Sequence, residues 1–177
     1  MIFKYKIEEN DFLDFHIFTA SKSKRIRKKK NKSWLLLTIS SAVVAIYFYL
    51  NYNTPLAVYF GLVAVVCGLF YPKYFRWRYK RHYKTQIAEN YSKRFGQIET
   101  LEITENQILS KDKTGESKVN LSEIEKVDET NSHFFLKISA GMSLIIPKER
   151  IDNSDQLRTE FKKLGLTVND QRNWKWE

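Results

Sequence analysis

Few residues in this 177-residue chain are of types that do covalent or metal chemistry. There are three histidines, His16, His82 and His133, and one cysteine, Cys67. His16 and His82 fall on different helical stretches and His133 opens a strand, so these three alone leave a metal site short of ligands. A single cysteine permits neither an intramolecular disulfide nor a cysteine cluster, and Cys67 reads as a small buried hydrophobe. The densest acidic pair of the C-terminal region, Asp128-Glu129, sits among basic residues and reads as a solvated face. The chain has no glycine-rich phosphate loop, serine elbow, zinc-protease helix or paired-cysteine motif. The expectation is a non-enzymatic protein without a cofactor.

Cations are the residues with chemistry to offer. Residues 22–32 carry eight basic groups and no acid, and residues 73–94 carry eight basic groups and one acid. Between them, residues 33–72 contain no Asp, Glu, Lys or Arg. A water-soluble domain would expose some of those forty positions and place charge there. The candidates for contact with anionic lipid headgroups are Lys24, Arg25, Arg27, Lys28, Lys29, Lys30, Lys73, Arg76, Arg78, Lys80 and Arg81. Each such residue near an anionic surface contributes about 1 kcal/mol. Nucleic acid is the weaker match, because headgroups compete for cations beside an apolar stretch and no base-reading fold follows.

The elements that position these cations come next. Residues 34–52 and 55–74 are two apolar runs, each long enough for a helix to cross a membrane. Residues 53–54 form the link, so the helices must be antiparallel neighbours. Thr54 is placed to cap the second helix, with Pro55 at its first position. Positive flanks on both sides put both termini in the cytoplasm and the turn outside, in a two-pass protein of the inner membrane. Trp34, Tyr74 and Trp77 mark the inner interface, and Tyr49 and Tyr52 the outer one. Small residues recur along each run: Ser41 and Ala45 on the first, Ala57, Gly61, Ala64 and Gly68 on the second. Such stripes pack helices closely, either within the hairpin or between copies as a homo-oligomer seam.

Residues 75–96 predict a basic aromatic helix that continues the second run past a kink at Pro72, with Gly96 as its C-cap. From 97 the period changes to two, with strands over 98–104, 107–111, 116–120, 125–130, 133–139 and 142–146. The turns between them include Asp112–Gly115 and Ala140-Gly141. Asn153 or Ser154 caps a helix to about Leu164. Near the start, Ile2–Ile7 alternates as a strand, and Asn10 or Asp11 caps a helix bearing Phe12, Phe15 and Phe18 that leads through the basic block. A lone strand needs a partner, and the later sheet offers one. Seven strands and a terminal helix match a pleckstrin-homology-like sandwich. The expected fold is therefore membrane α+β: a two-helix hairpin inserted after the first strand of a small cytoplasmic β-sandwich. Its parts are 1–33, 34–52, 53–54, 55–74, 75–96 and 97–177.

Two stretches, FKYKIEENDFLDF (Phe3–Phe15) and IEKVDET…HFFLKIS…LIIPKERI (Ile124–Ile151), resemble the YcxB-like family of small bacterial membrane proteins. The resemblance implies a membrane hairpin with a cytoplasmic C-terminal domain and carries no catalytic residue set. The expected function is a membrane-anchored adaptor or sensor that binds a lipid or an unidentified protein partner, with toxin immunity as one form. The alternative is an accessory subunit of a membrane transport or enzyme complex.

Overall fold

A computed structural model describes residues 1–113, 115–139 and 141–176. Thr114 and Ala140, which belong to two of the expected turns, and Glu177 lie outside the described residues. The chain divides into two compact units: Met1–His16 together with Lys84–Glu177, and Ile17–Tyr83.

The first unit holds two four-stranded sheets. One has the order β1 (Ile2–Lys6), β2 (Ile98–Ile103), β3 (Gln107–Asp112), β4 (Gly115–Asn120), all antiparallel. The N-terminal strand finds its partner in β2, with Phe3 opposite Leu101 and Tyr5 opposite Glu99. In the second sheet, β5 (Ile124–Glu129), β6 (His133–Ile138) and β7 (Ser143–Pro147) run antiparallel. Period-two alternation forms these strands, because it sends Leu101, Ile103, Ile108, Val119 and Val127 inward to the core. Observed and expected bounds differ by one or two residues.

Helix α4 (Ser154–Lys163) follows β7, and Asn153 caps it by accepting the Gln156 N–H at 3.0 Å. Its Leu157 and Phe161 are fully buried, and Phe161 meets Phe134 edge to face at 5.7 Å. An eighth strand, β8 (Val168–Asp170), then pairs parallel to β5. The expected count was seven. The three residues of β8 are too few to show a period.

Helix α1 (Glu9–Lys22) begins before the expected cap. Asp11 is its third residue, and its Oδ2 reaches back to accept the Glu8 N–H at 2.6 Å, while the Asp11 N–H bonds the Glu8 carbonyl. The Asp11 side chain thus makes one half of a capping box, with Glu8 in the cap position.

The second unit centres on two long helices, α2 (Lys24–Leu50) and the start of α3 (Thr54–Tyr91). Ser23 caps α2, so the basic block is already helical. Asn53, not Thr54, caps α3: its Oδ1 accepts the Leu56 N–H at 3.4 Å, leaving Thr54 and Pro55 inside the first turn. Helix α3 runs through Pro72 and carries the second apolar run on into the basic aromatic segment. Phe48 stacks on Phe60 at 5.8 Å, which fixes the two helices as antiparallel neighbours near their turn.

Both helices are long and apolar enough to cross a membrane by length and composition. Their outward side chains, among them Leu36, Val43, Ile46, Leu62, Val65 and Leu69, are exposed. Ser41, Ala45, Gly61, Ala64 and Gly68 are half-buried and Ala57 is buried, so all six lie on the inward stripes. The glycines do not bring backbones together, however. A Cβ built on Gly61 meets nothing within 4 Å, and one on Gly68 meets only the Thr38 methyl at 3.8 Å.

Candidate functional site

At the basic ends of α2 and α3 lies a cavity of about 590 Å³ within the second unit. Arg25, Lys29 and Ser33 recur every four residues on α2 and line one wall. On α3 the same spacing aligns Tyr71, Phe75, Tyr79 and Tyr83, with Arg78 and His82 beside them. No carboxylate lines this cavity among the described residues. Three fixed cations and several phenol groups therefore converge on one space, and an anion with hydroxyl or phosphate oxygens is what such a wall can hold.

The eleven expected cationic positions do not act as one. Arg25, Lys29 and Arg78 line the cavity. Lys24, Arg27 and Lys28 sit on other, exposed faces of α2, and Lys30 is half-buried. On α3, Lys80 is exposed, Arg76 is half-buried, Lys73 lies over the Phe70 ring at 5.9 Å, and the Arg81 guanidinium lies over Trp77 at 5.6 Å. His82 and the tyrosines were missed. The four-residue recurrence from Tyr71 to Tyr83 was the signal that could have found them.

The first unit contains two buried charge clusters that the sequence did not reveal. In one, Asp11 is 4% and His133 4% exposed, and Asp11 Oδ1 lies 2.9 Å from His133 Nε2. Ser132 Oγ lies 2.9 Å from His133 Nδ1. The line Ser132–His133–Asp11 has the residue types of a hydrolytic triad. Its acid is shared, though: Arg150 also bonds Asp11 and donates to the Lys6 carbonyl at 2.8 Å. Neither large cavity is lined by Ser132 or His133. The arrangement ties α1 to the start of β6 and the end of β7. Burial raises the Asp11 carboxyl, but hydrogen bonds from His133, the Glu8 N–H and Arg150 outweigh it and hold Asp11 below the ordinary carboxylate range.

The second cluster corrects the expectation of a solvated Asp128-Glu129 face. Asp128 is 6% and Glu129 2% exposed. Asn169 of β8 donates to Asp128 at 3.0 Å, and Lys126 pairs with it at 2.6 Å. Glu129 takes Arg158 Nε at 2.7 Å and is bonded by Lys148. Burial raises the Glu129 carboxyl, and the bonds from Arg158 and Lys148 overcome that and lower it. Among the described residues no three His, Cys, Asp or Glu side chains are grouped to hold a metal ion.

Residues 103–164 match the YcxB-like protein family. The resemblance read from the sequence is shown over that segment, about a third of the chain. The YcxB-like segment runs from the last residue of β2 through β3–β7 and α4. It includes His133, Glu129, Lys148 and Arg150, and leaves out Asp11, β1, β8 and the apolar helices. No curated protein and no solved structure matches the chain.

Proposed function

We propose that this protein is a non-enzymatic adaptor or sensor anchored in the cytoplasmic membrane by α2 and α3. In this reading it reads anionic lipid headgroups with the cavity at their basic ends and presents a cytoplasmic domain to a partner. The observation that carries the reading is the convergence of Arg25, Lys29 and Arg78 with a tyrosine wall in one carboxylate-free cavity. Cations flanking both apolar runs favour an inward position for both termini. The exposed apolar flanks of the hairpin support insertion, since contiguous apolar surface of that extent is costly in water. At the depth expected for the basic helix ends, phosphate oxygens are the commonest anions.

The first unit supports a pleckstrin-homology-like reading of the cytoplasmic domain. Its strand order is two antiparallel meanders followed by a helix, with the hairpin inserted after β1. The accessory-subunit alternative draws less support, because the small-residue stripes face across the hairpin rather than outward.

Lipid retention tests the proposal. The full chain and an Arg25→Gln/Lys29→Gln/Arg78→Gln variant would be extracted into mild detergent and weighed with their bound lipids by native mass spectrometry. The parent should keep phosphatidylglycerol or cardiolipin adducts, and the variant should lose them while still folding. Equal adducts on both proteins would refute the headgroup site. A reporter fused after Trp176 that is active only outside the cell would refute the topology.

A further inference from the structure

A second cavity, of about 690 Å³, lies wholly within the first unit, and its chemistry is opposite to that of the basic one. It is in the range of about 300–1,000 Å³ usual for small-molecule sites. Strand β2 explains how a carboxyl comes to face it. Leu101 and Ile103 point inward and are buried, so Glu99, two residues before Leu101, points inward as well and is only 6% exposed. The outward position beside it goes to Ile98, which is 54% exposed. This reversal puts an acid where the period asks for an apolar residue, which is costly unless something pairs with it.

The protein supplies Glu99 with little compensation. Ser110 Oγ on β3 is its one hydrogen-bond donor among the described residues. Tyr5 stands opposite on β1, 3% exposed, and its hydroxyl has no hydrogen-bond partner among the described residues. Arg94 lines the same cavity, bonds Asp112 at 3.2 Å, and its charge offsets only part of the burial of Glu99. Glu116, itself paired with Lys118 at 3.6 Å, adds another acid, so the described lining residues carry three carboxyls against one guanidinium. Burial pushes the Glu99 carboxyl up, and it pushes the lining His16 down towards the neutral imidazole. An excess of acid in a protein of net charge +10 is a local departure from its composition. The same lining carries the aromatic rings of Phe12, Phe15 and Tyr91, with Phe12 stacked on Tyr91 at 4.8 Å.

We propose that this cavity binds a small organic amine, its alkylammonium group paired with Glu99 and its apolar part against Phe12, Phe15 and Tyr91. A cation is the one ligand type that converts the buried acid from a cost into a charge-assisted bond, and aromatic faces attract it further. This inference goes beyond the membrane reading and does not depend on it.

The experiment uses the full chain in a zwitterionic detergent and three probes of one shape: 2-phenylethylamine, 2-phenylethanol and phenylacetate. Binding is measured by titration calorimetry against detergent alone. The amine should bind at least about tenfold more tightly than the alcohol or the acid. Glu99→Gln should lower amine affinity by about tenfold or more and leave the alcohol unchanged. Met142→Trp, which enlarges an exposed residue of the lining, should block the amine. Equal affinity of amine and alcohol, undiminished amine binding to folded Glu99→Gln, or no amine binding to the folded parent at about 10 mM would each overturn the proposal. A Phe-Lys dipeptide amide with a blocked amino terminus is the second arm. Its binding without that of the free amine would overturn the small-molecule assignment and move the cation to a protein side chain.

Discussion

Trp34 Nε1 donates to the carbonyl oxygen of Gly68 at 3.1 Å, across the hairpin. Gly68 lies four residues before Pro72, and a proline has no N–H to give to the carbonyl one turn back. The indole thus supplies the bond that Pro72 removes. In lipid, where no water can substitute, such a freed carbonyl must find another donor. Trp34 was expected as an interface marker. Its half-buried position and this bond give it a role inside the hairpin.

Replacing Trp34 by Phe keeps the ring and deletes the donor. Stability in denaturant titrations of the detergent-solubilised chain should fall by about 1 kcal/mol. In a Pro72→Ala background the helix restores its own bond, and the same substitution should cost about half as much or less. Equal costs in both backgrounds would separate Trp34 from Pro72.

Asp11 serves His133, Arg150 and the Glu8 N–H together. Asp11→Ala should therefore cost about 2–4 kcal/mol in thermal or chemical unfolding of the first unit's signal, more than any exposed acid. Asp155→Ala, whose side chain is 80% exposed, is the comparison and should change stability by about 0.5 kcal/mol or less.

The buried acids pull the pH profile in opposite directions. Asp11 and Glu129 are lowered in the fold, so the unfolded chain binds more protons and their contribution is present above about pH 5. It drains away as pH falls through about 4 and below. Glu99 is raised, so its contribution is present below its ordinary value of 4.5 and is lost as pH rises past it. The stability difference between parent and Glu99→Gln should shift against the parent as pH rises from about 4 to 7, followed by thermal unfolding. A difference independent of pH would contradict the inward acid.

The open space at Gly61 makes a further prediction. Gly61→Ala should leave stability unchanged or raise it by up to about 1 kcal/mol, because alanine favours the helix and meets no atom. A loss of 2 kcal/mol or a change of oligomeric state, read by light scattering in detergent, would point to an outside partner on that stripe.

What could be read from the sequence follows from how local each signal is. The strands from Ile98 to Pro147 repeat every two residues and stop at turn residues, so their number and bounds were legible, while their pairing comes from the structure. Helix α4 carried its own cap and stop. That the N-terminal strand pairs within the later sheet could be argued because a strand needs a neighbour, and the structure makes that neighbour β2. Asp11, His133 and Arg150 could not be joined from sequence, since a contact across more than 120 residues leaves no period. Glu99 was hidden for another reason: nothing local says which of Ile98 and Glu99 faces inward, and the acid takes the inward position while Ile98 is exposed. Asp128-Glu129 misled because their cations come from Lys126, the turn after β7 and α4. The cap of α3 went to Asn53 rather than Thr54 by one residue, the usual resolution of such signals.

Lys6 and Ile98 face each other in one sheet with about ninety residues of chain between them. During synthesis at about 5–20 residues per second, β1 waits several seconds before β2 exists, and the whole hairpin is made in that interval. Until then β1 is an unpaired edge, its Phe3 and Tyr5 uncovered. The sheet is thus completed by its first residues only after both long helices have been made, so its closure always comes later than the synthesis of the middle of the chain.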